Sequence, residues 1–578
     1  MSHRYPRPAI LDEIDLDRHA VIEASAGTGK TYTLEHLVVE LVLAREVPLE
    51  QILVVTFTEK ATREMRERVR AKLRDLLEPR AESPDEAEPA WVVDEAARRR
   101  LGDALAVFDR APISTIHAFC QRVLTESAFD CARLLRQEQV ESREVFGEAF
   151  RQELRVALAP GAALAPVLQR ALAQWDVQRL EDSLYRWYAE RGTPEPRFDR
   201  ARAEDALKRL PTRLELGPGG FARRALETGL SRNPKKEIPG MLAELAPAVE
   251  ALRADGDFFS ALLAFWDWAQ RRAPGKRSYL QYCRHYLGRA KAPLTALGDL
   301  IETLGRCAGS PLTVLLGEML PHIALRLSGR KSERGHFDFD DMLRMLRDAL
   351  FAPGGEALAQ DLRRRYRVAL VDEFQDTDRV QWDIFRRVFF KAPPEADRRL
   401  ILIGDPKQAI YGFRNADVHT YHAARDAVTS GGGQAVPLTV SFRSTAPLVA
   451  QVNTILEAGF FTGVNAYPHP VSCGRPERRA LDAEGRDAPP VTLLHLVGRP
   501  ELRRAWVERA LGRFVAAEIQ RLLDGGLRLD DGEGAEVRPL APSDVHVLCR
   551  SKRDAEAVGA ALAEAGVPHA HFKQDRKS

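Results

Sequence analysis

Ala24, Ser25, Ala26, Gly27, Thr28, Gly29, Lys30 and Thr31 follow one another directly behind the apolar pair Val21 and Ile22 and ahead of a helical run over residues 32–44. Glycines at this spacing let backbone N–H groups turn inward around phosphate oxygens, and the N-terminus of the next helix adds a favourable dipole. Lys30 has the charge and reach to neutralise the β- and γ-phosphates of a nucleoside triphosphate, and the Thr31 hydroxyl suits Mg²⁺. Ala24 stands where the general pattern has its first glycine. Far downstream, the apolar run 368–371 ends in Asp372 and Glu373. An acidic pair at a strand end commonly just caps a helix. Behind a phosphate-binding loop, Asp372 suits the Mg²⁺ shell and Glu373 suits a general base that activates water. The chemistry expected is hydrolysis of the β–γ phosphate bond, with ATP and Mg²⁺ as cofactors.

Groups 342 and more residues apart can meet only if a sheet brings them together. Apolar stretches at 20–23, 51–56, 368–371, 400–403 and 436–440 are rich in Val, Ile and Leu and end in polar or Gly-rich turns, as buried parallel strands do. Helical stretches such as 60–77 alternate with them, which implies a doubly wound α/β sheet. In such a sheet ligands sit at the carboxyl ends of the strands, so Asp372 and Glu373 should face the crevice that holds Lys30. From about residue 128 to 335 the pattern changes to Ala-, Leu-, Arg- and Glu-rich helical spacing, as at 141–158 and 257–270. This is a helical insertion that splits the first α/β domain. Loop candidates lie at 78–89, 217–220, a Gly431–Gly433 hinge, and 474–490.

Composition narrows the function classes further. The 578 residues, 45% of them hydrophobic, exceed what one core usually holds, so several domains are expected. Lys and Arg number 85 against 83 acidic residues, and a net charge of +2 supplies no global field to gather a polyanion. Nucleic acid would have to be held by local patches. The six cysteines (Cys120, Cys131, Cys283, Cys307, Cys473 and Cys549) form no CxxC pair, which argues against a disulfide framework, zinc or an iron–sulfur cluster. With no apolar leader and no long apolar segment, a cytoplasmic protein without a membrane partner is expected.

Further motifs occur in a fixed order: Thr56-Phe57-Thr58-Glu59-Lys60-Ala61-Thr62, Thr115-Ile116-His117-Ala118-Phe119-Cys120, Phe339-Asp340-Asp341-Met342-Leu343, Gly404-Asp405-Pro406-Lys407-Gln408-Ala409-Ile410-Tyr411 and Ser441-Phe442-Arg443-Ser444. Together with the loop, this series resembles the UvrD-type superfamily-one DNA helicases. Its wording is most similar to the RecB branch. The resemblance implies a RecA-like P-loop motor that couples ATP hydrolysis to movement on single-stranded DNA, in repair of double-strand breaks and recombination. It gives Gln408 the role of sensing the γ-phosphate, and Arg443 that of an arginine finger reaching the same phosphate from the next lobe. Phe442 would stack on adenine, with Tyr32 a candidate second face. Phe57, Tyr411 and Phe413 would stack on bases, while Thr56, Thr58, Arg63, His117 and Arg414 would bond DNA phosphates. The partners implied are single-stranded and duplex DNA and RecC-like and RecD-like subunits. A softer candidate for duplex DNA or a partner is the basic, aromatic stretch 276–286, which reads equally well as an amphipathic helix with its tyrosines inward.

Departures from the family are specific. No glutamine precedes Gln51, although many relatives read adenine with one upstream of the loop; Asn415 stands where Gly is usual and Ser441 where Asn is usual. Residues 544–552 and the helix after them resemble the early part of a second motor domain. Its closing motifs, with a second catalytic arginine, and the nuclease domain of the RecB branch are not found by residue 578. The organisation expected is a first RecA-like domain at 1–130 and 335–430, a helical insertion at 131–334, and a partial second RecA-like domain at 431–578. Two other functions fit the same motifs: a nucleotide-switched DNA-binding fragment without unwinding activity, and a truncated UvrD-like subunit of an anti-phage system.

Overall fold

The computed structural model describes residues 3–79, 88–127, 138–189, 198–230, 234–273, 277–290, 294–391, 397–412, 416–457, 470–495, 504–532, 534 and 536–571. Strands β1 (Ala20–Ala24), β2 (Ile52–Thr56), β3 (Ile113–Thr115), β4 (Val368–Val371), β5 (Arg399–Gly404) and β6 (Gln434–Leu438) form one six-stranded sheet in the order β6-β1-β5-β4-β2-β3. Every pairing is parallel. All six carboxyl ends therefore open on one edge. The strands read as continuous aliphatic runs because both faces are covered; β2 and β4 are buried at every position.

Helix α1 (Lys30–Leu43) is buried continuously from Thr33 to Leu43, so it shows no amphipathic stripe. Its Leu34, Leu37, Val38 and Leu41 share a core with Ile22, Val54, Leu370, Ile401 and Ile403 of the sheet. Helix α2 (Glu59–Asp75) is the ordinary surface case: Met65, Val69 and Leu73, four residues apart, turn inward while its arginines and glutamates face out.

Two expectations about boundaries are corrected. The apolar run 436–440 reads as part of a second lobe, but β6 pairs with β1 from Gln434 opposite Ala20 to Leu438 opposite Ala24. The first sheet thus runs past the expected limit at 430. Gly431–Gly433 is a turn inside one domain: a Cβ on Gly433 would lie 2.6 Å from Val428 Cγ1 and 2.7 Å from the His19 carbonyl oxygen. Close approach, not flexibility, accounts for that glycine. The helical insertion is also wider than 131–334. The chain divides into two compact units, one of Met1–Phe119, Pro353–Ala409 and Asp417–Ser578, the other of Cys120–Ala352 with Ile410–Ala416.

The helical unit has its own core, which includes Phe146, Phe150, Leu262, Phe265 and Trp268. The Trp268 indole donates to the Met241 carbonyl at 2.7 Å, which satisfies the buried ring N–H. The helix Phe339–Phe351, expected in the motor domain, belongs here. Asp338 caps it, and buried Lys331 pairs with Asp338 and, at 2.6 Å, with Asp341. Burial alone would raise the Asp338 carboxyl, but Lys331 and the Ser142 hydroxyl hold it below the usual range. Taking either acid away would leave a buried ammonium short of partners.

Beyond β6, Val440–Ser441 pairs in parallel with Ser472–Cys473, and Arg479–Leu481, Arg528–Asp530 and Arg538–Pro539 make a three-stranded antiparallel sheet. Helices Arg504–Arg521 and Lys552–Glu564 pack around Ala516, Ile519, Ala561, Leu562 and Val567. Among the described residues of this region, parallel pairing is confined to Val440–Ser441 and Ser472–Cys473. Residues 545–549 carry no strand pairing, and Leu548 is 97% exposed. No helix of the described residues is long and apolar enough to cross a membrane.

Candidate functional site

The chain leaves β1 at Ala24 into the loop, where Gly27 (φ 79°) and Gly29 (φ 87°) adopt the left-handed conformation that only glycine takes freely. The Thr28 hydroxyl donates to the Ser25 carbonyl at 2.8 Å and closes the turn. Helix α1 begins at Lys30, so its first N–H groups point into the loop's concavity. Thr31 and Tyr32 occupy the first turn, and Tyr32 is half exposed.

Sheet order brings the distant carboxylates to this loop. β4 lies two strands from β1, with β5 between them, and it ends immediately before Asp372. Lys30 Nζ stands 2.7 Å from Glu373 Oε2. Glu373 has φ 50°, an uncommon conformation outside glycine and one that structures usually retain at functional positions. Burial, and then the neighbouring Glu373 carboxylate, push Asp372 up to about 6. The same causes push Asp376 up to about 7, and its buried Oδ1 has no hydrogen-bond partner.

The end of β5 joins the same network. Gln375 Nε2 donates to Glu373 Oε2 at 2.8 Å, and the Asp405 backbone N–H donates to Gln375 Oε1 at 2.9 Å. Asp405 in turn accepts from Gln408 Nε2 at 2.8 Å and pairs with Lys407 at 2.8 Å. Lys30, Glu373 and Gln408, each singled out from sequence, are therefore linked through two residues that the motifs leave without a role, Gln375 and Asp405. Both lie within a few positions of residues the sequence does single out. What sequence could not supply is their inward orientation.

Residues 441–443 lie against the loop from the other side. The Phe442 N–H donates to the Gly27 carbonyl at 2.9 Å, and a Cβ on Gly27 would come within 2.6 Å of Arg443 Cβ and 2.9 Å of Ser441 Oγ. The Phe442 ring, half exposed, rests over Gly474. Tyr32 packs on His36 with ring centroids 4.0 Å apart, and His36 Nδ1 meets the Tyr32 carbonyl at 2.6 Å. Burial holds His36 down to about 4.

Of the expected DNA contacts, Thr56, Phe57, Thr58, Arg63 and His117 follow β2 and β3, the strands beyond β4 in the sheet. Thr56 is buried, and its hydroxyl bonds Thr62 Oγ1 at 2.6 Å and the Thr58 carbonyl at 3.3 Å. A DNA phosphate would have to compete with that inward pair. Thr58 is exposed but its hydroxyl caps α2, accepting from the Ala61 N–H at 3.1 Å. Arg63 is exposed on α2, while Phe57 and His117 are partly buried. Tyr411 groups with the helical unit. Phe413, Arg414 and Asn415 lie outside the described residues, as do Lys276 and residues 80–87 of an expected loop. In the basic, aromatic stretch, Tyr282 is buried with its hydroxyl on Glu237, and Arg284 pairs with Glu302 at 2.8 Å. That is the amphipathic-helix arrangement.

The UvrD/REP helicase N-terminal domain family matches residues 10–204 and 313–429, more than half of the chain. The chain belongs to this UvrD/REP helicase family. The unmatched interval of the family, 205–312, falls within the helical unit. Among curated proteins, the RecBCD enzyme subunit RecB of Escherichia coli is 30% identical over 97% of this chain and 48% of its own length. RecB of Mycolicibacterium smegmatis is 29% identical over 95% of the chain and 39% of its own length. An ATP-dependent helicase/nuclease subunit of Pelotomaculum thermopropionicum is 26% identical over 92% and 47%. The chain thus spans about half the length of these UvrD/REP relatives, or less.

Proposed function

We propose that this chain is the ATP-hydrolysing motor portion of a RecB-type DNA helicase, coupling turnover to movement on single-stranded DNA in double-strand-break repair and recombination. The observation that carries this reading is the 2.7 Å contact of Lys30 with Glu373 at the mouth of a glycine loop that Ser441–Arg443 also approaches. In this reading the loop N–H groups and Lys30 hold the triphosphate. Lys30 turns from Glu373 to the β- and γ-phosphates. Glu373 takes a proton from the attacking water as the β–γ bond breaks and ADP leaves with its electron pair. Gln408 senses the γ-phosphate, Arg443 offsets charge developing on it, and Phe442 and Tyr32 flank the base.

Thr31 and Asp372 would hold Mg²⁺. The fit is chemical: a buried carboxylate pushed up to about 6 by burial and a like-charged neighbour is relieved by a divalent cation. When bound, Mg²⁺ draws charge off the phosphate oxygens. Thr56, Phe57, Thr58, Arg63, His117, Tyr411, Phe413 and Arg414 form the proposed track for DNA. RecC-like and RecD-like subunits are the proposed partners, because two of the relatives are named as subunits of a RecBCD enzyme. The proposed setting is the cytoplasm.

Lys30→Ala should abolish ATP hydrolysis stimulated by single-stranded DNA while leaving the unfolding midpoint near that of the unaltered chain. Undiminished turnover in Lys30→Ala would remove the proposed active site.

A further inference from the structure

Glu373 Oε2 receives two donors, the Lys30 ammonium at 2.7 Å and the Gln375 amide at 2.8 Å. They differ in what a triphosphate does to them. In the proposed function the several negative charges of a triphosphate compete with the single Glu373 carboxylate for the Lys30 ammonium. When Lys30 turns to the phosphates, Glu373 Oε2 keeps the Gln375 amide as its donor. The Gln375 amide is neutral, and the residue is only 2% exposed.

Its placement is over-determined. The Gln375 carbonyl oxygen accepts from the Asp405 N–H at 2.9 Å, and a Cβ on Gly404 would lie 2.6 Å from that oxygen. Only a residue without a side chain at the end of β5 admits the amide. With its oxygen fixed, the amide's nitrogen has to point at Glu373, where it also lies 3.4 Å from Asp376 Oδ2. The amide thus fixes the Glu373 carboxylate by a bond to Oε2 that does not depend on Lys30.

We propose that Gln375 is a positioning residue that holds the Glu373 carboxylate toward the attacking water once the triphosphate has drawn Lys30 away, and that it ties this carboxylate to the Asp405–Gln408 turn. The inference rests on the reading of Glu373 as the general base. Gln375 acts through Glu373, which its amide contacts. Because Asp405 also anchors Gln408, a shift of the turn at the γ-phosphate moves the base's tether with it.

Steady-state ATP hydrolysis with single-stranded DNA tests this in the whole chain. Gln375→Glu keeps the shape and an oxygen for the Asp405 N–H but loses the donor to Glu373. Its kcat should fall about a hundredfold, the lower end of what a misplaced general base costs, with KM and nucleotide affinity unchanged. Gln375→Leu, which lacks both contacts at similar volume, should show the same split, so a folding defect in one variant does not decide the matter. Wild-type kcat in either folded variant, or equal losses in kcat and nucleotide affinity, overturns the proposal. Glu373→Gln is measured alongside: if it loses turnover while both Gln375 variants keep theirs, only the tether fails; if it keeps turnover, the base reading fails and the tether with it.

Discussion

At the scale of single residues the site is a cluster of acids gathered round one ammonium. Asp376 is the clearest case of its cost. Burial and the adjacent Glu373 push its carboxyl up to about 7, so the folded protein binds that proton more tightly than the unfolded chain, whose carboxylates titrate near ~4. The sign follows directly. The stabilising contribution of the proton is complete below about pH 4 and fades as pH rises to about 7. Asp372, pushed up to about 6, adds a decline in the same sense. His36, held down to about 4, contributes the opposite trend over part of this range, and the two raised acids together should make the unfolding midpoint fall with rising pH. Asp376→Asn, neutral at every pH, should remove the upper part of that fall. Midpoint curves that run parallel for the two proteins would contradict the assignment.

At the scale of elements, several motif residues, Lys30 and Thr58 among them, sit where a strand has ended and the next helix begins, and this makes some of them structural as well as functional candidates. Thr58 is the test case. Its hydroxyl caps α2, a contact whose loss costs about 0.5–2 kcal/mol. Thr58→Ala should therefore lower stability by about 1 kcal/mol, and Thr58→Ser should restore it. Denaturant unfolding measures this, and an unaltered midpoint in Thr58→Ala would contradict the capping role. Gly27→Ala combines a φ of 79° with a Cβ only 2.6 Å from Arg443 Cβ. It should weaken nucleotide affinity more than Ala26→Gly does, as read by equilibrium binding of a fluorescent ATP analogue.

Strand identity is legible in sequence because a doubly buried strand must be aliphatic along its whole length: 20–23, 368–371, 400–403 and all of 51–56 except Gln51 fall in the sheet. Strand partnership is not. Nothing in the apolar pattern of Val436 and Leu438 says which sheet they join, and a run of three glycines reads as a hinge unless the packing around Gly433 is known. The helix after Asp338 falls outside its expected domain for a related reason. Its partner Lys331 precedes it by only a few residues, and a lysine's burial is invisible to composition. At the site, residue types at fixed spacing announce Lys30, Asp372 and Glu373. The tether through Gln375 needs coordinates, since an amide that points inward has the same letter as one in water.

At the scale of the whole molecule, a net charge of +2 supplies no global field, so the proposed affinity for DNA would rest on local contacts. Log affinity for single-stranded DNA should fall by about 0.7 per tenfold salt for each phosphate engaged. Arg63→Ala, exposed on α2, should reduce the slope by about that amount. A slope identical to that of the unaltered chain would take Arg63 out of the proposed track. The proposed function places one triphosphate among positions 30, 372, 373 and 443. The crystal structure of the chain with a non-hydrolysable ATP analogue and Mg²⁺ tests it most directly. The expected result is Lys30 released from Glu373 and placed on the β- and γ-phosphates, the metal between Thr31 and Asp372, and Arg443 facing the γ-phosphate. An analogue bound away from the loop, or Lys30 still paired with Glu373 beside a bound triphosphate, would contradict it.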